Sequence, residues 1–215
     1  MPTLGYWAIR GLAQPIRLLL THAGADFEDV QYEQGDAPDY SKESWTKVKH
    51  TLGLPIPNLP YYIDGDIKLT QSNAILRHIA RKYRFLGETE QEQANVDMML
   101  DQAMDFRNGI VGLCYSSEYE KKKATYFEAL PAKLEVFQDF LGDKDFFAGS
   151  KLTVCDFPIY ELLDQTRIMQ PGSLDKFPKL LAFLARFEAL PKIKKYMESD
   201  KFIKRPINNK SASFK

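Results

Sequence analysis

The stretch Asn58-Leu59-Pro60-Tyr61-Tyr62-Ile63-Asp64-Gly65-Asp66-Ile67-Lys68-Leu69-Thr70-Gln71-Ser72-Asn73-Ala74-Ile75 reads as a proline-led strand, an Asp-Gly turn, a short second strand and the opening of a helix. A bond into proline has a real cis population, and a cis Leu59–Pro60 bond turns the backbone N–H and C=O of Leu59 outward. Asp64-Gly65 supplies the positive φ angles of a tight hairpin. Gln71 and Ser72 then fall at a helix N-terminus, where free N–H groups and the helix dipole attract a carboxylate. Together these predict an edge on which an extended, acidic, peptide-like ligand docks. Hairpin-to-helix junctions also occur as plain structure in α/β domains, so both readings stay open on this segment alone.

Working outward, Leu4-Gly5-Tyr6-Trp7 is a short apolar run that suits a buried strand. The next segment, Arg10-Gly11-Leu12-Ala13-Gln14-Pro15-Ile16-Arg17, starts a helix, with Pro15 tolerated in its first turn. Tyr6 therefore stands near a strand end, just before a loop and a helix N-terminus. A tyrosine in such a place is most often a core residue with a satisfied hydroxyl.

The first part of the chain alternates strand (3–8), helix (14–23), strand (27–32), long loop (33–57), hairpin (61–69) and helix (72–83), which argues for an α/β unit. Arg84-Phe85-Leu86-Gly87-Glu88-Thr89 breaks the pattern. Beyond it the apolar period is helical: Val96, Met99, Leu100 and Ala103, then Phe127, Leu130, Leu134, Phe137 and Leu141, then Leu180, Leu184 and Phe187. The expected organisation is an α/β domain over 1–83, a linker at 84–89 and an all-helical domain over 90–215. The last residues, rich in Asn, Ser and Lys, read as a tail that covers something or is disordered.

Composition bounds the function. Over 215 residues, 29 basic and 29 acidic side chains cancel, which leaves no electrostatic footprint for nucleic acid or an anionic membrane. The run Lys121-Lys122-Lys123 is a solvated face. Met1-Pro2-Thr3 leads straight into folded-looking sequence without a signal-peptide pattern, and no apolar stretch is long enough to span a bilayer. The two cysteines, Cys114 and Cys155, form no Cys-x-x-Cys, and the three histidines are scattered, so no metal site is expected. Thr153-Val154-Cys155-Asp156 has capping-box spacing, which makes Asp156 a folding element and not a catalytic acid. A soluble protein of the cytoplasm is the expectation.

Tyr6-Trp7, Arg10-Gly11, Trp45, Lys49, Asn58-Leu59-Pro60 and Gln71-Ser72 stand in the order and spacing of a cytosolic glutathione S-transferase, which the chain resembles over essentially its whole length. The insertion Gly35-Asp36-Ala37-Pro38-Asp39-Tyr40 looks like the extra loop of the mu class. The resemblance continues through Met104-Asp105, Leu113-Cys114-Tyr115, Phe147-Ala148-Gly149 and Phe183 to Glu188. It implies α/β plus all-α architecture: an N-terminal thioredoxin-like domain followed by an all-helical C-terminal domain.

It also implies a homodimer that adds the thiolate of glutathione to hydrophobic electrophiles, with glutathione as co-substrate and no metal or organic cofactor. Tyr6 would be catalytic, its phenol donating to the sulfur. A free thiol with a pKa near 8.5 is only about 3% ionised at neutral pH, and making it mostly thiolate takes about 2.7 kcal/mol. One charge-assisted hydrogen bond supplies about 1.5–3 kcal/mol and a helix N-terminus about 0.3–1 more, so one phenol suffices. Gln71 and Ser72 would hold the γ-glutamyl end and Leu59, beside cis Pro60, the cysteinyl unit. Lys42, Trp45, Lys49 and Asn58 would meet the glycyl end. Trp7 and Leu12 would shape the wall near sulfur, and Asp105 would reach the other subunit's glutathione. Ile9, Leu12, Val111, Tyr115 and Asn208 would line the electrophile pocket, with Tyr115 donating to developing oxygen charge.

Two positions depart from the mu pattern. Lys42 stands where arginine is common, which removes a bidentate fork. Ile56 stands where a phenylalanine commonly inserts into the partner, which weakens that contact. A non-catalytic carrier or structural protein on the same fold is the rival reading, opposed by the retained Tyr6 and contact set. A thiol-disulfide oxidoreductase fails because no cysteine opens the first helix.

Overall fold

The computed structural model describes all 215 residues. Strands β1 (Thr3–Trp7), β2 (Glu28–Tyr32), β3 (Tyr61–Asp64) and β4 (Ile67–Thr70) form one sheet in the order β2-β1-β3-β4. The β1–β2 pair is parallel, with Tyr6 opposite Gln31, and the β1–β3 and β3–β4 pairs are antiparallel. Gly5 sits opposite Tyr61, whose ring lies so close that a Cβ on Gly5 would come within 2.1 Å of it. Only glycine lets Tyr61 cross β1 there.

Helix α1 (Gln14–Ala23) opens on Pro15 and ends on Gly24 at φ 74°, an αL cap whose N–H returns to Leu20 and Thr21 carbonyls. The loop expected over 33–57 carries one helical turn, α2 (Glu43–Thr46). Ser41 Oγ accepts the Glu43 N–H, and burial of Trp45 at 7% exposure pins the turn. Helix α3 (Ser72–Tyr83) follows β4 and packs on β3 and β4, and its bounds match the expected helix. Residues 84–89 hold no helix or strand.

Five helices follow: α4 (Glu90–Cys114), α5 (Tyr119–Leu141), α6 (Asp156–Met169), α7 (Pro178–Glu188) and α8 (Pro191–Met197). The α4 start is a true capping box that the sequence reading overlooked: Thr89 Oγ1 accepts from Glu92 N and Glu92 reaches back to Thr89 N. The apolar stripes read from the sequence are buried, except that Phe127 is only partly covered. At Thr153–Asp156 half of the expected box forms. Asp156 accepts from Thr153 N and Phe147 N, but the Thr153 hydroxyl donates to the same carboxylate instead of capping the backbone. Burial pushes the Asp156 carboxyl up to about 6. It braces the start of α6, as a folding element should.

Helix α1 packs against α3 on one side and α6 and α8 on the other, and so joins the sheet to the helical half. Arg10, 1% exposed, makes the charged link: its Nε and Nη2 donate to Glu161 at 2.8 and 2.7 Å, and Nη2 also pairs with Asp164. Its N–H and that of Gly11 donate to the Pro206 and Ile207 carbonyls, so the tail is tied to the loop after β1.

Candidate active site

Tyr6 is 6% exposed at the end of β1, and its hydroxyl has no partner within the chain without being sealed from solvent. Gly11, at φ 44°, passes so near the ring that a Cβ there would stand 2.6 Å from Tyr6 Cε1 and 2.8 Å from its hydroxyl. The turn thus needs glycine for both its φ and its closeness, and it fixes the phenol from one side.

Gly11 and Leu12 share a recess with Ser72 and Asn73, which brings the phenol's neighbourhood to the start of α3. No side chain caps that helix, and Gln71 before it stands at φ 71°, ψ 110°, a conformation that non-glycine residues rarely adopt. The first-turn N–H groups are left for an anion, and the backbone strain fits a ligand-holding site. Ser72 is 5% exposed, with its hydroxyl unpaired.

The Leu59–Pro60 bond is cis. One expectation changes here. The Leu59 N–H is not free but donates to Asn58 Oδ1 at 2.9 Å, because an Asn side chain folds readily onto a neighbouring N–H. The Leu59 carbonyl accepts no bond within the chain. Trp45 is packed in an aromatic group, stacked on Tyr61 at 5.9 Å and edge-on to Tyr32 at 5.4 Å, while the Tyr32 and Tyr61 hydroxyls bond each other at 2.9 Å. Its indole N–H is neither bonded nor sealed. Lys42 precedes α2, exposed, and Lys49 is half-buried; neither forms an ion pair, and Asp105 is likewise exposed and unpaired.

Across the cleft, Ile9 is buried, Trp7, Leu12 and Val111 are half-buried, and Tyr115 caps α4. The Tyr115 hydroxyl accepts the Asn209 N–H at 2.9 Å, which leaves its own proton free to donate; the residue is 41% exposed, and partial desolvation raises its pKa. Asn208 is 4% exposed and its amide donates to the Phe214 carbonyl, which ties the tail's end together. The tail itself is ordered across the cleft. Ser211 N donates to Gln34, Ser213 N to the Cys114 carbonyl, and Lys210 pairs with Asp36 at 2.7 Å.

The sequence reading missed Arg107, which lines the recess beside Gly11 and Ser72 and interacts electrostatically with Tyr6 and Tyr115. Its three- and four-residue spacing from Met104 and Val111 was the available signal. Neither cysteine competes as a nucleophile. Both are buried free thiols, and burial pushes Cys114 up to about 11 and Cys155 well above its ordinary value.

Residues 2–81 match the family model described as glutathione S-transferase, N-terminal domain, and residues 104–200 match glutathione S-transferase, C-terminal domain. Glutathione S-transferase Mu 3 of Homo sapiens is 54% identical over 211 residues, covering 98% of this chain and 94% of that protein. Glutathione S-transferase Mu 2 of Mus musculus is 52% identical, covering 98% and 96%. Among solved structures, the glutathione S-transferase Blo t 8 superposes with a TM-score of 0.89 at 36% identity, covering 98% of both chains. The pi-class glutathione S-transferase of Onchocerca volvulus gives 0.87 at 34% identity, covering 99% of both.

Proposed function

The chain belongs to the mu class of the glutathione S-transferase family, and from that premise we propose that Tyr6 activates glutathione for transfer to hydrophobic electrophiles. The observation that carries this reading is the Tyr6 phenol: unpartnered, not sealed from solvent, and pinned by Gly11, which shares a recess with the uncapped start of α3. A phenol so held donates to a sulfur anion without first breaking a bond of its own. The thiol proton leaves to solvent, the sulfur pair forms a bond to the electrophilic carbon, and the displaced pair departs with a leaving group or moves onto oxygen.

Residues 1–83 serve glutathione in this reading and 90–215 the electrophile. Ser72, Gln71 and the first turn of α3 take the γ-glutamyl carboxylate. The Leu59 carbonyl pairs with the cysteinyl N–H, while pairing with the Leu59 N–H requires the Asn58 side chain to swing away. Trp45 Nε1, Lys49 and Lys42 serve the glycyl carboxylate. Trp7, Ile9, Leu12 and Val111 supply apolar wall, and Tyr115 donates to oxygen charge. Asn208 acts through the tail and not by contact.

A homodimer, in which Asp105 reaches the second copy's glutathione, is supported by Ile56, 64% exposed, and by a groove of about 400 Å³ between α4 and α5. No helix is long and apolar enough to cross a membrane, and a cytoplasmic site of action suits detoxification of such electrophiles. Tyr6→Phe tests the reading. Turnover should fall about 10–100-fold with glutathione affinity nearly kept, since only the thiolate loses its donor. Collapse of glutathione binding instead would make Tyr6 structural.

A further inference from the structure

Met104, Arg107, Val111 and Tyr115 follow one another at spacings of three, four and four, so they form one stripe along α4. Val111 and Tyr115 belong to the electrophile wall, while Met104 and Arg107 line the adjoining recess with Gly11, Leu12 and Ser72. Arg107 thus stands between the sulfur site and the wall against which the second substrate lies.

Its bonding sets it apart. Every other arginine that is not exposed is ion-paired: Arg10 with Glu161, Arg17 with Asp29, Arg77 with Asp97, Arg167 with Glu188 and Arg186 with Asp145. Arg107 is half-buried, forms no ion pair and donates no hydrogen bond, yet its guanidinium nitrogens are not sealed from the cleft. The carboxylate in the recess, Glu161, is committed: Arg10 bonds both oxygens and Gln165 one of them. Asp105 lies about 200° around the helix from Arg107 and is exposed. Tyr6 and Tyr115 are near enough to act on Arg107 electrostatically, and burial pulls its pKa below the ordinary arginine value. A guanidinium held in partial desolvation without a counter-ion costs free energy that an arriving anion restores.

We propose that Arg107 is the counter-ion for a carboxylate on the second substrate, so that the cleft favours electrophiles with an apolar body and one acidic group. This deepens the transferase reading and rests on it. With an enone, the thiolate sulfur bonds to the β-carbon, the C=C π pair shifts to form the double bond between the α-carbon and the carbonyl carbon, and the C=O π pair moves onto the oxygen beside Tyr115. The enolate then takes a proton from water at the α-carbon. The carboxylate makes and breaks no bond; it only docks, which makes Arg107 a specificity residue.

The experiment compares benzylideneacetone with its para-carboxylate as electrophiles, each kcat/KM divided by the uncatalysed rate with glutathione. Wild type should favour the carboxylate about tenfold or more, Arg107→Gln should erase about tenfold of that ratio, and Arg107→Lys should keep most of it. An unchanged ratio in Arg107→Gln overturns the proposal. So does an unchanged ratio accompanied by a raised KM for glutathione, which would assign the guanidinium to glutathione's own carboxylate. Should the Gln variant fail to fold, a wild-type ratio near one overturns the proposal just as directly. Wild type that conjugates neither enone also overturns the proposal, and conjugation of 1-chloro-2,4-dinitrobenzene by the same preparation then shows separately whether the transferase reading stands.

Discussion

Between Leu59 and Ser72 the cleft is walled by backbone, whereas between Met104 and Tyr115 it is walled by side chains. The first wall offers a free carbonyl at Leu59, a left-handed Gln71 and the uncapped first turn of α3. The second offers Arg107, Val111 and Tyr115 from one helix, met by Ile9 and Leu12 from the loop after β1. A backbone wall keeps its chemistry under most substitutions and suits a co-substrate that never changes. A wall of side chains can be retuned one residue at a time, which suits a variable electrophile. The two meet at Tyr6, and Arg10 ties the loop after β1 to α6.

The sharpest way to break this arrangement is to cut the joint. Arg10→Met strands the buried Glu161 carboxylate, and loss of one partner of such a pair should cost about 3–5 kcal/mol of stability, read from denaturant unfolding. The deficit should shrink on acidification. Burial already pushes Glu161 above its ordinary value while Arg10 pulls it down, so without Arg10 its folded pKa lies higher still. A group raised in the folded state contributes stability that is present below the unfolded pKa and lost as pH rises through the folded one. A pH-independent deficit would contradict the account.

A smaller effect separates the walls. Ser72→Ala removes the one side-chain hydroxyl set into the backbone wall and should raise the KM for glutathione about tenfold with little change in kcat. An unchanged KM would remove Ser72 from the glutathione site. Smaller again, Tyr115→Phe should lower kcat/KM for enones and epoxides several-fold, about 1 kcal/mol, while glutathione affinity stays put. An equal loss for both substrates would show that Tyr115 acts by anchoring Asn209 and the tail.

The backbone wall was also the wall legible in the sequence, and the reason is locality. Pro60, Asp64-Gly65 and Gln71-Ser72 act on their immediate neighbours, so consecutive residues carry enough to place the hairpin and the helix start. The exception, Asn58 taking the Leu59 N–H, is a choice between water, ligand and a neighbouring side chain that spacing cannot decide. Arg107 illustrates the opposite case. In sequence it is an ordinary arginine on an amphipathic helix, and what marks it is a missing partner, a fact that exists only once α4, α6 and the β1 loop have packed. Asn208 likewise reads as a lid residue by position, and only the folded tail shows its amide turned inward to Phe214. The α2 turn was lost in the 33–57 loop because burial of Trp45, not helix propensity, makes it.

The central claim is that Tyr6 holds the glutathione sulfur anionic. Its most direct test is the ultraviolet thiolate absorbance of bound glutathione, titrated against pH on wild type and Tyr6→Phe. Ionisation is expected below neutral pH in wild type, with a midpoint about two pH units higher in the variant, the loss of about 2.7 kcal/mol. Coincident titrations in the two proteins, or no thiolate at neutral pH in wild type despite bound glutathione, would contradict that claim.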